Sequence, residues 1–122
     1  MQTTTLQLLP TTTFGTPSGN YDGTSTFFAG DPQKAADYYG GFGQLQTLAF
    51  YLLNFQGIIT TECTLDSDPT QDSQWFTTNV YDASASPVTS NFPVNITGNF
   101  TWIRAYVSNF QAGTITKLAV SY

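Results

Sequence analysis

The acidic run "DSDPTQD" places Asp66, Asp68 and Asp72 at positions one, three and seven of one loop. Carboxylates at that spacing could share a calcium ion through hard oxygen ligands. The glycine at the sixth position and the glutamate at the twelfth that complete an EF-hand loop are missing. Asp and Pro are also ordinary turn formers, so calcium at these three residues stays secondary to the expectation of no cofactor. Glu62 is the only glutamate, and no G-x-S-x-G, phosphate loop or metal-ligand spacing occurs. The chain has no histidine, which removes the commonest general base and the commonest zinc ligand. The expectation is a protein that is not an enzyme.

The residues left to carry function are aromatic. Trp102, Arg104 and Tyr106 alternate along "TWIRAYV" and would form a stripe on one face of a strand. Aromatics beside arginine are common anchors of protein interfaces. The same stripe could instead be a second packed layer with the arginine stem over it, or a stacking platform for sugars. Tyr38 and Tyr39, in the Tyr- and Gly-rich segment "NYDGTSTFFAGDPQKAADYYGG", join it as candidate interface residues. Trp75 and Phe76 read as core.

Composition narrows the partners. Three basic residues, Lys34, Arg104 and Lys117, stand against eight acidic ones, for a net charge of -5. Phosphate neutralisation needs clustered Lys and Arg, so nucleic acid is an unsuitable partner, and an anionic membrane surface equally so. The opening "MQTTTLQLLP" has neither the charged start nor the apolar run of a signal peptide. Cys63 is the single cysteine, which precludes an intrachain disulfide and suits a reducing compartment. It reads as a small buried filler. A surface built mainly from Thr, Ser, Asn and Gln, with many aromatics, suits a protein packed against other protein.

The elements that must position these residues are strands. A length of 122 residues makes one domain, with a loop-rich part over 1–43 holding one or two strands and a strand-rich part over 44–122. "TLQLL" (5–9) predicts a first strand ended by Pro10, and 10–25 a long loop. Asp31 and Pro32 predict a short helix stopped by Gly40 and Gly41. "QLQTLAFYLLNF" (44–55) has apolar residues on both alternating sets and reads as a strand covered on both faces. A turn at Gln56-Gly57 would then lead into "GIITTECTL", with Ile59, Thr61, Cys63 and Leu65 inward and Glu62 outward. "WFTTNVY" and "FPVNIT" add two strands, the second an edge because of Pro93. "NFTWIRAYVSNF" and "GTITKLAVSY" would form a last hairpin with Ile103, Ala105 and Val107 inward. The motif Y-x-x-N-F-Q occurs at Tyr51 and again at Tyr106, which suggests two related hairpins. The expected fold is an all-β antiparallel sandwich or jelly roll with those two related hairpins.

The segments "NYDGTS", "YYGGFGQLQTLAFYLLNFQGIITTECTL", "QWF" and "GNFTWIRAYVSNFQAGTITKLAVSY" together resemble a group of small virion structural proteins of tailed bacteriophages, of the kind expected in cyanophages with contractile tails. The resemblance spans nearly the whole chain in order and is densest over the last 25 residues. It implies a non-enzymatic virion component made in the host cytoplasm that binds other virion proteins and forms a homo-oligomer. A capsid decoration or cement protein fits first, and a neck, tail or fibre component second. A carbohydrate-binding module is the competing class.

Overall fold

The computed structural model describes residues 5–38, 44–67 and 74–122. Eight strands join in one hydrogen-bonded antiparallel sheet: β1 (Thr5–Leu9), β2 (Thr12–Thr13), β3 (Phe28–Ala29), β4 (Gln33–Lys34), β5 (Leu45–Thr64), β6 (Phe76–Asp82), β7 (Val88–Thr97) and β8 (Trp102–Ser121). The chain is therefore all-β, as its Thr, Ile, Val and aromatic content dictates. All eight strands share a single hydrogen-bonded sheet. That sheet is built around β5 and β8, each 20 residues long and paired with each other along nearly their whole length. β1, β2, β3 and β4 line the far edge of β8. β7 and β6 line the far edge of β5, one after the other.

The two related hairpins do not form. Where a turn was expected at Gln56-Gly57, β5 runs on, and β8 runs on through Gln111–Gly113 in the same way. The repeated N-F-Q marks a crease in each long strand. Asn54 and Asn109 both take left-handed backbone angles, with φ of 52° and 49°, a region Asn enters more readily than most residues. The register between β5 and β8 shifts between Leu53 and Gln56 and again between Gln56 and Ile58, and such bulges bend a strand and increase its twist. At each crease the following phenylalanine drops inward. Phe55 and Phe110 are fully buried with ring centroids 5.7 Å apart. The turn-like composition was real, and the hydrogen bonds of the neighbouring strands converted it into a bend.

The creases divide the sheet into two halves that close over one core. In the first half, β7, β5 as far as Leu53 and the end of β8 pair in that order, with β1 and β2 outermost. In the second, β6 pairs the rest of β5, which pairs the start of β8, with β3 and β4 outermost. Tyr81 of β6 joins the halves: its ring lies 6.0 Å from Phe50 of β5 and 4.8 Å from Phe92 of β7. Leu48, Phe50, Leu52, Ile103, Ala105 and Val107 are all buried, but Leu45, Tyr51 and Leu53 on the other alternating set are exposed, so this part of β5 is covered on one face and not, as expected, on both. Leu65 also departs from its expected inward place, because β5 ends at Thr64 and the side chain beyond it is exposed. Gln46 is buried without loss: its amide nitrogen donates to the carbonyls of Gln44, Ile96 and Gly98, and its oxygen accepts from the Ala36 amide.

The expected helix at Asp31 is absent. Gln33 and Lys34 pair with Ile103 and Trp102 instead, and Ala35 is buried beside them. The sheet partner overrides the local capping pattern. Pro10 ends β1 as expected, but the loop after it contributes β2, paired to Ile115 and Thr114.

One buried polar atom has no partner among the described residues, the Thr61 hydroxyl. An unsatisfied buried hydroxyl costs about 1–3 kcal/mol. Thr61→Val keeps the shape and removes the orphan, so the variant should be as stable as the parent or gain about 1 kcal/mol. A urea midpoint well below that of the parent would show that the hydroxyl is satisfied in solution.

Candidate functional site

The outer face of the second half-sheet carries the aromatic stripe. Directly opposed residues of antiparallel strands share a face, so the register fixes its rows. Lys34, Trp102 and Thr64 form one row, Arg104, Glu62 and Thr77 the next, and Ala29, Tyr106, Thr60 and Val80 the third. Trp102, Arg104 and Tyr106 are each partly buried. Arg104 donates from Nε to Glu62 Oε1 at 2.8 Å, and its guanidinium lies 4.3 Å from the centre of the Trp75 ring. The cation is thus fixed from two sides, by a charge-assisted hydrogen bond and by a ring face.

Trp102 is held as well. Its indole Nε1 donates to the Ser67 carbonyl at 3.2 Å, and its ring meets that of Tyr38 edge-on at 5.2 Å. Lys34 Nζ sits 4.5 Å over the Tyr38 ring. The structure therefore brings Tyr38, Trp102, Arg104 and Tyr106 onto one continuous surface. Tyr39 lies outside the described residues. Sequence reasoning missed Glu62 and Trp75 as partners of Arg104, because their contact depends on pairing between distant strands. Trp75 and Phe76 also depart from their expected place in the core: Trp75 stacks on the arginine, and Phe76 is exposed.

Val80, 55 % exposed, stands at the β6 edge of this surface. Phe76 is 49 % exposed but lies opposite Cys63, so it belongs to the other face. Among the described residues β6 pairs only with β5, and no described strand covers its other edge. The strand reads FTTNVYD and carries neither the lysine nor the proline that commonly blunt an edge. β7, by contrast, carries Pro93 opposite Ala49.

Of the three aspartates considered for calcium, Asp68 and Asp72 lie outside the described residues. Asp66 is exposed, its backbone amide donates to Thr64 Oγ1, and its carbonyl accepts from Thr101 Oγ1. Elsewhere, Asp22 is held well below the usual carboxylate range by the Ser25 hydroxyl and then by the Ser25 and Thr24 amides. Asp82 is lowered in the same manner by the hydroxyl and amide of Ser84. Both are turn-forming arrangements of Asp with Ser and Thr. Burial pushes the Cys63 thiol up to about 11, with a hydrogen bond shared with the Thr78 hydroxyl opposing the effect and the Glu62 charge adding to it. The thiolate is the reactive form. Cys63 should therefore resist iodoacetamide at pH 8 in the folded protein and react fully in denaturant; rapid labelling of the native protein would contradict its burial.

These features define the class as an all-β antiparallel domain with a partly buried aromatic platform beside an unblunted edge strand. No family model, no curated protein and no solved structure matches the chain.

Proposed function

We propose that this chain is a non-enzymatic structural protein that binds other proteins through the outer face of the second half-sheet. On the resemblance of its sequence, it does so as a component of a phage virion. The observation that carries the binding surface is Val80, exposed on an unblunted edge strand in the same row as Tyr106 of the Trp102, Arg104 and Tyr106 platform. Aromatic, apolar and arginine groups with few net charges are what the centre of a protein interface contains. The platform is held in place before any partner arrives, which lowers the entropic cost of association. A capsid decoration or cement role is the position in the particle we favour, with the chain acting as a symmetric homo-oligomer.

Val80 tests this more cleanly than Trp102. Trp102 also holds Tyr38 and the Ser67 carbonyl, so truncating it would disturb the fold as well as the surface. Val80→Lys should leave the thermal midpoint nearly unchanged. It should reduce occupancy on particles lacking this protein by at least about tenfold in affinity, the consequence of losing roughly 1.4 kcal/mol. Running the titration with isolated capsids and with isolated tails separates decoration from a neck, tail or fibre position. Full occupancy by the variant on both would remove this face from the interface.

A further inference from the structure

The groove beside Tyr106 has the chemistry of a binding site for a small polyhydroxylated ligand. It measures about 620 Å³, within the range of ordinary ligand sites. Phe27, 59 % exposed, and the Tyr106 ring supply its apolar surfaces. Arg104, Asn20 and Asp31 supply its polar ones. The Arg104 Nε is taken by Glu62, while its terminal nitrogens have no hydrogen-bond partner among the described residues. Asn20 Nδ2 donates to the Ala29 carbonyl and to Asp31 Oδ1, both at 2.9 Å. That arrangement leaves the Asn20 carbonyl oxygen and Asp31 Oδ2 as acceptors. Guanidinium donors, carboxylate and amide acceptors and two ring faces therefore meet in one place.

The site is also built on fixed elements. Phe28 and Ala29 pair with Val107 and Tyr106, the Gly30 amide donates to the Ala105 carbonyl at 2.8 Å, and Arg104 is clamped by Glu62 and Trp75. A second cavity of about 220 Å³ shares Asn20, Phe28 and Asp31 with the groove and adds Gln7, Ser18 and Gln33. The two spaces adjoin across a common wall, and the second is lined by further amides and a hydroxyl.

We infer that this groove binds a neutral oligosaccharide, with one sugar ring against Phe27 and Tyr106 and its hydroxyls shared between Arg104, Asn20 and Asp31. A pyranose presents an apolar C–H face, which suits the negative face of an aromatic ring. Its hydroxyls both donate and accept, which suits mixed donors and acceptors. Charge favours a neutral ligand over an anionic one. The single cation is already paired with Glu62, Asp31 stands in the groove, and the chain carries a net charge of -5. A wholly apolar ligand would strand three polar side chains. An extended peptide would need a strand edge, and β3 is two residues long. The adjoining amide-lined cavity suits a second sugar unit.

The groove shares Arg104 and Tyr106 with the protein-binding face but is not lined by Val80, so Val80→Lys separates the two readings. The test is calorimetric titration of the full chain with neutral hexose, pentose and N-acetylhexosamine tetramers, alongside tetragalacturonate as an acidic probe. At least one neutral oligomer should bind with a Kd below about 1 mM. Phe27→Ala, at an exposed position, should weaken it by about tenfold, and Asp31→Ala should weaken it as well. Val80→Lys should leave it unchanged, and all three variants should melt with the parent. Absence of binding by every neutral oligomer at millimolar concentration would overturn the inference. So would affinity that survives Phe27→Ala, or preferential binding of tetragalacturonate that is lost on adding salt.

Discussion

Gly113→Ala should unfold the protein or leave it barely folded. Gly113 has φ of +88°, a conformation that costs an alanine about 1–2 kcal/mol by itself. The larger cost is contact. A β-carbon there would sit inside the van der Waals envelope of the Asn54 carbonyl and 2.6 Å from the Phe55 amide nitrogen. Those are backbone atoms of the opposite crease, and they cannot rotate away. Relief would require β5 and β8 to separate where the sheet folds over. The expected loss exceeds about 4 kcal/mol, the range reserved for substitutions that break a named structural feature. Gly15 supplies the control. Its φ is +87°, and a β-carbon there meets nothing within 4 Å, so Gly15→Ala should cost only the backbone strain. Equal urea midpoints for the two variants would show that the close approach of the creases is wrong.

Phe110→Ala should cost about 3–5 kcal/mol, the usual penalty for emptying a buried phenylalanine site. Phe110 is fully buried at the β8 crease. Its ring lies 5.4 Å from Phe14, 5.3 Å from Tyr21, 6.1 Å from Phe28 and 5.7 Å from Phe55. Its backbone amide donates to the Thr26 carbonyl. Phe14, Tyr21 and Phe28 of the N-terminal segment thereby all pack on this one ring. The variant should lose stability in urea and also show faster amide exchange over residues 14–28. A loss of stability with unchanged exchange in that segment would mean the loop is held elsewhere. The Gly113 and Phe110 effects should not add, because both act on one crease.

Much of the fold is written in the chain as period-two alternation. Leu48, Phe50 and Leu52 on β5, and Ile103, Ala105 and Val107 on β8, lie where that alternation puts them, because a one-residue slip would send each set to solvent. β1 could be read to its last residue from Pro10. The creases could not. Asn54 with Gly57, and Asn109 with Gly113, carry the residues of a turn. What makes them bends is hydrogen bonding with remote segments: Gly57 and Ala83 exchange amide–carbonyl bonds, the Asn54 amide donates to Thr89 Oγ1, and the Phe110 amide donates to the Thr26 carbonyl. Local composition holds no record of those partners. The helix expected at Asp31 was lost in the same way, to pairing with β8.

The candidate surface divides along the same line. The Trp102, Arg104 and Tyr106 stripe was legible because all three lie on one strand. Glu62 and Trp75, which fix the arginine, come from residues 42 and 29 positions away, and nothing in their spacing links them. The groove was hidden for a similar reason. Asn20, Phe27 and Asp31 come from a segment that reads as loop, and only the pairing of β3 with β8 brings them to Tyr106. The available clue was "TFFAG", where Phe28 falls on the core parity and leaves Phe27 to face out.

The claim that this chain is a protein-binding component of a virion is tested most directly by a cryo-EM map of the intact particle resolved well enough to trace strands. The folded eight-stranded sheet should be found in symmetric copies, with Val80 and the Trp102–Tyr106 face against another protein of the particle. A particle without this chain, or one in which that face points to solvent in every copy, would contradict it.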